Sequence, residues 1–146
     1  MFINKRPDAE AVIKGGKNYP AVCGRVQFYQ ANGYVTVRVS VSHLPENASG
    51  FYGFHIHEGD SCEGNSFSET KGHYNPDGRD HPLHSGDMPP LISCGGQASM
   101  EFRTNRFYVK SIIGKTIIIH GSSDDFRSQP SGNAGEKIAC GVIFKN

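Results

Sequence analysis

The chain has 146 residues, a formal net charge of +1, 36% hydrophobic residues, 18 glycines and no tryptophan. That length suits a single domain, 1–146, around one core. A charge so close to zero, with no polybasic run, argues for neither nucleic acid nor an anionic membrane, so neither is expected as partner, and no apolar stretch is long enough to span a bilayer.

Residues 1–15 hold no long apolar run, so no secretory leader is visible. A cytoplasmic protein is expected, or a secreted or periplasmic one if a leader has been removed. Residues 9–14 read as a first strand and Gly15-Gly16-Lys17-Asn18 as a turn. Val22, Gly24, Val26 and Phe28 then alternate with Cys23, Arg25, Gln27 and Tyr29, a strand with one wet face. Ala31-Asn32-Gly33 signals a hairpin. In the next strand Val35, Val37, Val39 and Val41 point one way and Thr36, Arg38 and Ser40 the other. His43 falls in a connection and reads as a surface or turn residue.

Residues 51–58 are expected as the fourth strand. Later strands are 97–103 (Ala98, Met100 and Phe102 inward), 115–120 and 137–144, while 107–113 reads equally as a short strand or a connection. No helical period of useful length appears. About eight short strands predict an all-β antiparallel sandwich or flattened barrel. Two segments, 59–90 and 121–136, carry neither pattern. Loops of that length are usually functional or disordered, and the histidines gathered in the first favour function.

Five of the seven histidines lie between Gly53 and Asp87, and a sixth, His120, follows three isoleucines. Imidazole is the commonest protein ligand for transition metals. His55 and His57 stand two apart on a strand, so both leave one face while Phe54 and Ile56 leave the other toward the core. His73, His81, His84 and Asp87 make a second group: three imidazoles and a carboxylate suit a tetrahedral zinc shell. By ligand count, His55, His57 and His120 form a three-nitrogen site beside it. Spacing alone leaves that division open.

The chain resembles the copper/zinc superoxide dismutases. The motifs are Gly53-Phe54-His55-Ile56-His57, Gly72-His73-Tyr74-Asn75-Pro76, His84-Ser85-Gly86-Asp87, Ile118-Ile119-His120 with Asp124-Asp125, and Gly132-Asn133-Ala134-Gly135 through Ala139-Cys140-Gly141-Val142. The resemblance implies an eight-stranded Greek-key β-sandwich or flattened barrel with two long functional loops. It implies copper held by His55, His57, His73 and His120, and zinc held by His73, His81, His84 and Asp87, with His73 bridging the two. Asp124 would tie a copper histidine to a zinc histidine, and Cys62 and Cys140 would form the disulfide. The implied reaction converts superoxide to dioxygen and hydrogen peroxide by redox cycling of copper, with His73 as ligand and proton store.

The chain departs from the family pattern in places. The arginine usually found three residues before the second disulfide cysteine is Lys137 here. Lysine keeps the charge and loses the rigid forked donor set, so anion attraction should persist with docking less well fixed. The spacing of His81 and His84 and the segment from His120 to Gly132 are short, as in a bacterial-type member. Assembly as a monomer or a homodimer is not carried over. Cys23 and Cys94 have no family counterpart: they read as a second disulfide or as two free thiols. A non-catalytic relative that binds zinc or hands over copper is the alternative. It is disfavoured because no copper ligand is missing. A two-metal hydrolase would want bridging carboxylates.

Overall fold

The computed structural model describes residues 4–146. The strands are β1 Ala9–Gly15, β2 Cys23–Ala31, β3 Tyr34–Ser42, β4 Phe51–Tyr52, β5 Phe54–His57, β6 Leu91–Ile92, β7 Ala98–Thr104, β8 Thr116–His120 and β9 Lys137–Lys145. Seven of them form one antiparallel sheet in the order β5-β8-β9-β1-β2-β3-β7, and β4 pairs with β6 in a small separate ribbon. This is the expected all-β fold. Among the described residues it has nine strands where about eight were expected, because 51–58 divides in two, 91–92 adds one and 107–113 is not a strand.

Period-two alternation decides what is inside. Val35, Val37, Val39 and Val41 of β3 are buried, and their β2 partners Val26 and Phe28 fall on the same face. Ile13, Phe54, Ile56, Ile117 and Ile119 close the core from the other strands. Each such side chain contributes about 1.5–3 kcal/mol of hydrophobic burial.

Three expectations need correction. Residues 51–58 do not form one strand. The chain breaks at Gly53, whose N–H donates to Ser122 O and whose carbonyl accepts from His120 N, both at 2.8 Å. Phe51 and Tyr52 therefore leave the large sheet and pair with Ile92 and Leu91. Residues 107–113 are neither strand nor plain connection, but carry one helical turn, α1 Val109–Ile112. Four residues are too few to show a helical period. The loop from residue 59 also holds 3-10 turns at Asn65–Thr70, across a kink at Ser66 and Phe67. Cys23 and Cys94 are both exposed free thiols.

The long first loop is neither disordered nor loose. It doubles back along the free edge of β5: Glu58 N donates to Gly72 O, Tyr74 N to Ile56 O, Ile56 N to Gly86 O and Gly86 N to Tyr74 O, at 2.8–2.9 Å. An edge strand that would otherwise expose unpaired amides is thereby covered. A disulfide between Cys62 and Cys140, 78 residues apart, ties the start of this loop to β9. Closing a loop of that length removes unfolded-state entropy worth about 4.5 kcal/mol. Removing both thiols (Cys62→Ala with Cys140→Ala) should therefore lower the urea-unfolding free energy of the metal-free protein by a few kcal/mol, toward about 4.5. An unchanged midpoint would show that the bridge contributes nothing to the fold.

Candidate metal centre

Strand parity builds the site. In the β5–β8 pair, Phe54 and Ile56 face Ile119 and Ile117, all four within the core. His55 therefore shares the opposite face with its partner Ile118, and so do His57 and His120, two residues along from His55 and Ile118. An irregularity between Ile119 and His120 sets His120 opposite Lys137 of β9. The returning loop covers this face. Isolated bridges place His73 against His57 and Asp87 against His55.

Two four-residue clusters result, with the potential ligand atoms of each within 4.8 Å of one another. One is His55, His57, His73 and His120; the other is His73, His81, His84 and Asp87. His73 belongs to both, so the division that spacing left open is present in three dimensions. All five histidines other than His73 are buried, as is Asp87.

The hydrogen-bond partners fix which nitrogens are left with lone pairs. His57 donates from Nδ1 to Lys71 O at 2.8 Å and His120 from Nδ1 to Gly135 O at 3.2 Å. Their Nε2 atoms then face each other as acceptors at 3.4 Å with no hydrogen to share. His55 and His81 donate from Nε2 to the two oxygens of Asp124, each at 2.7 Å. Their Nδ1 atoms, and Nε2 of His73, are buried without a hydrogen-bond partner. His81 Nδ1 lies 3.1 Å from Asp87 Oδ2, but outside hydrogen-bonding geometry. Nδ1 of His73 stands 3.1 Å from His84 Nδ1 and 2.8 Å from Asp87 Oδ1. Ring nitrogens and a carboxylate converging in a buried site offer a cation a shell of ligands, and both clusters fit one. The all-imidazole set suits copper(II), and the three imidazoles with a carboxylate suit zinc.

Burial sets the protonation states. It pushes His120 down to about 3, aided by the field of His55. It holds His57 well below its ordinary value, and lowers His55 against the opposing hydrogen bond from Asp124. His84 is lowered by burial as well. Burial alone would raise Asp87, but the hydrogen bond and field of His73 more than offset it. Asp124 is likewise held below its usual range by donors from His55, His81 and the Phe126 N–H. Neutral imidazoles beside ionised carboxylates are the state that metal binding requires.

Several residues that matter here carried no signal in the sequence. Gln129 grips both backbone groups of His81, accepting from its N–H at 2.9 Å and donating to its carbonyl at 2.8 Å. Arg106 donates to the carbonyl of Pro82 at 2.6 Å and reaches those of His84 and Asp87 at 3.4 Å. Thr70, fully buried, accepts from Lys137 Nζ at 2.8 Å. Gly132 sits at φ +70, and a Cβ there would lie 1.9 Å from Asp124 Oδ1. It lies in a quoted motif, but its purpose, close approach to Asp124, emerges only from the structure.

A family model described as copper/zinc superoxide dismutase matches residues 22–143. The Cu-Zn superoxide dismutase 2 of Aquifex aeolicus is 36% identical over 137 aligned positions, covering 84% of this chain and 79% of the relative. The Cu-Zn enzyme of Schizosaccharomyces pombe is 36% identical over 152 positions, 92% and 96% of the two chains. That of Legionella pneumophila is 31% identical over 132, covering 85% and 79%. The matched span takes in every residue of both clusters, Asp124 and Lys137, and the chain belongs to the copper/zinc superoxide dismutases.

Proposed function

We propose that this chain dismutates superoxide with His55, His57, His73 and His120 holding copper and His73, His81, His84 and Asp87 holding zinc. The observation that carries the assignment is His73, which turns Nδ1 to His84 and Asp87 and leaves a buried, partnerless Nε2 for the other cluster. Copper bound there would supply one-electron redox chemistry toward superoxide. The residues do the rest. His73 Nε2, when it is not serving as a ligand, holds one proton that passes to the product peroxide, whose second proton comes from water. Asp124 holds the rings of His55 and His81 in one tautomer and one orientation. Lys137, half-buried and opposite His120, offers its ammonium as the docking point for the anion. All of these groups come from one chain, so a monomer is sufficient for the reading and a homodimer is compatible with it.

Metal analysis with a superoxide assay tests the proposal directly. Protein loaded with copper and zinc should carry one of each per chain and be active. Full loading without activity would end the reading.

Asp124→Asn should keep the fold and set an amide N–H₂ against one of the two imidazole donors. Metal affinity should fall about 10–100-fold. Competition with a chelator measures this, and unchanged retention would remove Asp124 from its role.

Acid should weaken the metal-free protein. His120 has an ordinary value of 6.5 and lies at about 3 when folded. Between those values the unfolded chain binds a proton that the folded chain refuses, so stability is fully present above the higher value and declines as pH falls. His55 and His57 shift in the same direction. Urea midpoints should drop on acidification from about pH 7 to about pH 4, each such histidine adding up to about 1.4 kcal/mol per pH unit. A flat profile would contradict the buried neutral imidazoles.

A further inference from the structure

Lysine in place of arginine should leave the docking cation poorly fixed, because the side chain is flexible and carries a point charge rather than a planar fork. The surroundings of Lys137 do not match that expectation. Its Nζ donates to Thr70 Oγ1 at 2.8 Å and to Lys71 O at 3.0 Å. We propose that Thr70 is a positioning residue that fixes the Lys137 ammonium as the anion-docking point beside the all-histidine cluster. This rests on the docking role given to Lys137 above.

The geometry is specific. Thr70 is fully buried, and its hydroxyl hydrogen is committed to Phe67 O at 2.7 Å. The oxygen can therefore only accept from Lys137. A β-branched side chain is also stiff about χ1, so the acceptor does not swing. The second acceptor, Lys71 O, is held in turn by the Nδ1 donor of His57 at 2.8 Å. An ammonium has three hydrogens. Two are taken by this cradle and one is left for an anion. A hydroxyl and a carbonyl thus supply the orientation that a guanidinium would carry in its own plane.

The test uses full-length protein loaded with copper and zinc, with metal content checked for each variant. Azide, a small monoanion, is the probe, titrated by the visible spectrum of bound copper, alongside the ionic-strength dependence of the superoxide rate. Thr70→Val removes the hydroxyl and keeps the shape. It should weaken azide about 3- to 10-fold, the worth of one hydrogen bond. The salt dependence should stay as in the parent, because the charge is still present. Thr70→Ser should restore azide affinity to within about 2-fold. Lys137→Ala should both weaken azide and flatten the salt dependence. If Lys137→Ala weakens azide and Thr70→Val does not, the role of Thr70 is overturned and that of Lys137 stands. If Lys137→Ala changes neither readout, the docking role of Lys137 itself fails. The parent protein offers a check that does not depend on how a variant folds. In its copper(I), zinc form the Lys137 ammonium should give a resolved, slowly exchanging nitrogen NMR signal, and a rapidly exchanging one would overturn the cradle.

Discussion

One carboxylate holds the two halves of the centre together. Asp124 accepts from His55 with one oxygen and from His81 with the other. His55 sits on a rigid strand and His81 on a loop, so this pair of hydrogen bonds is where sheet geometry passes to the loop. It also decides chemistry: with Nε2 of each ring donating, Nδ1 of each is left as a lone pair. The Asp124 side chain is 2% exposed, so the interaction works without competition from water. The surroundings are shaped to permit it, through Gly132, where no side chain could fit, and through Phe126, whose N–H donates to the same carboxylate at 2.7 Å.

The loops around that carboxylate hold their shape by borrowing order from the barrel. The first takes its backbone partners from the edge of β5 and its covalent anchor from β9. The second is tied to the first by Gln129, which treats the backbone of His81 as a strand partner would. Arg106, from the segment after β7, gathers the carbonyls of Pro82, His84 and Asp87. Loops trimmed in length have little core of their own. Here bonds to backbone groups substitute for it.

Much of this was legible in the residues. The valines of β3 and the isoleucines of β8 declared their strands by period and composition, and the His55–His57 spacing declared a shared face. The residues that gather into the two clusters were legible because metal chemistry restricts residue type. What escaped shares a physical reason. β4 and β6, at two residues each, are too short for alternation to register, and the break at Gly53 depends on partners some 70 residues away, Ser122 and His120. Thr70, Arg106 and Gln129 act through hydrogen bonds to distant segments, and nothing local to a threonine, an arginine or a glutamine announces such a bond. Lys137 is the instructive case. Its identity suggested looseness, and its neighbours supply the constraint instead.

The position of β9 has a bearing on how the molecule is made. In the sheet order, β5 and β8 reach β1, β2, β3 and β7 only through β9. Without β9, the strands β1, β2, β3 and β7 and the pair β5–β8, which bears His55, His57 and His120, have no ladder between them. Cys140 of the disulfide and Lys137 belong to the same strand. Synthesis from the N-terminus makes these long-range pairings late, after their loop-closure cost has been met. The finished centre thus waits on one strand: until β9 pairs on both of its edges, the two parts of the sheet that frame the histidines are not joined.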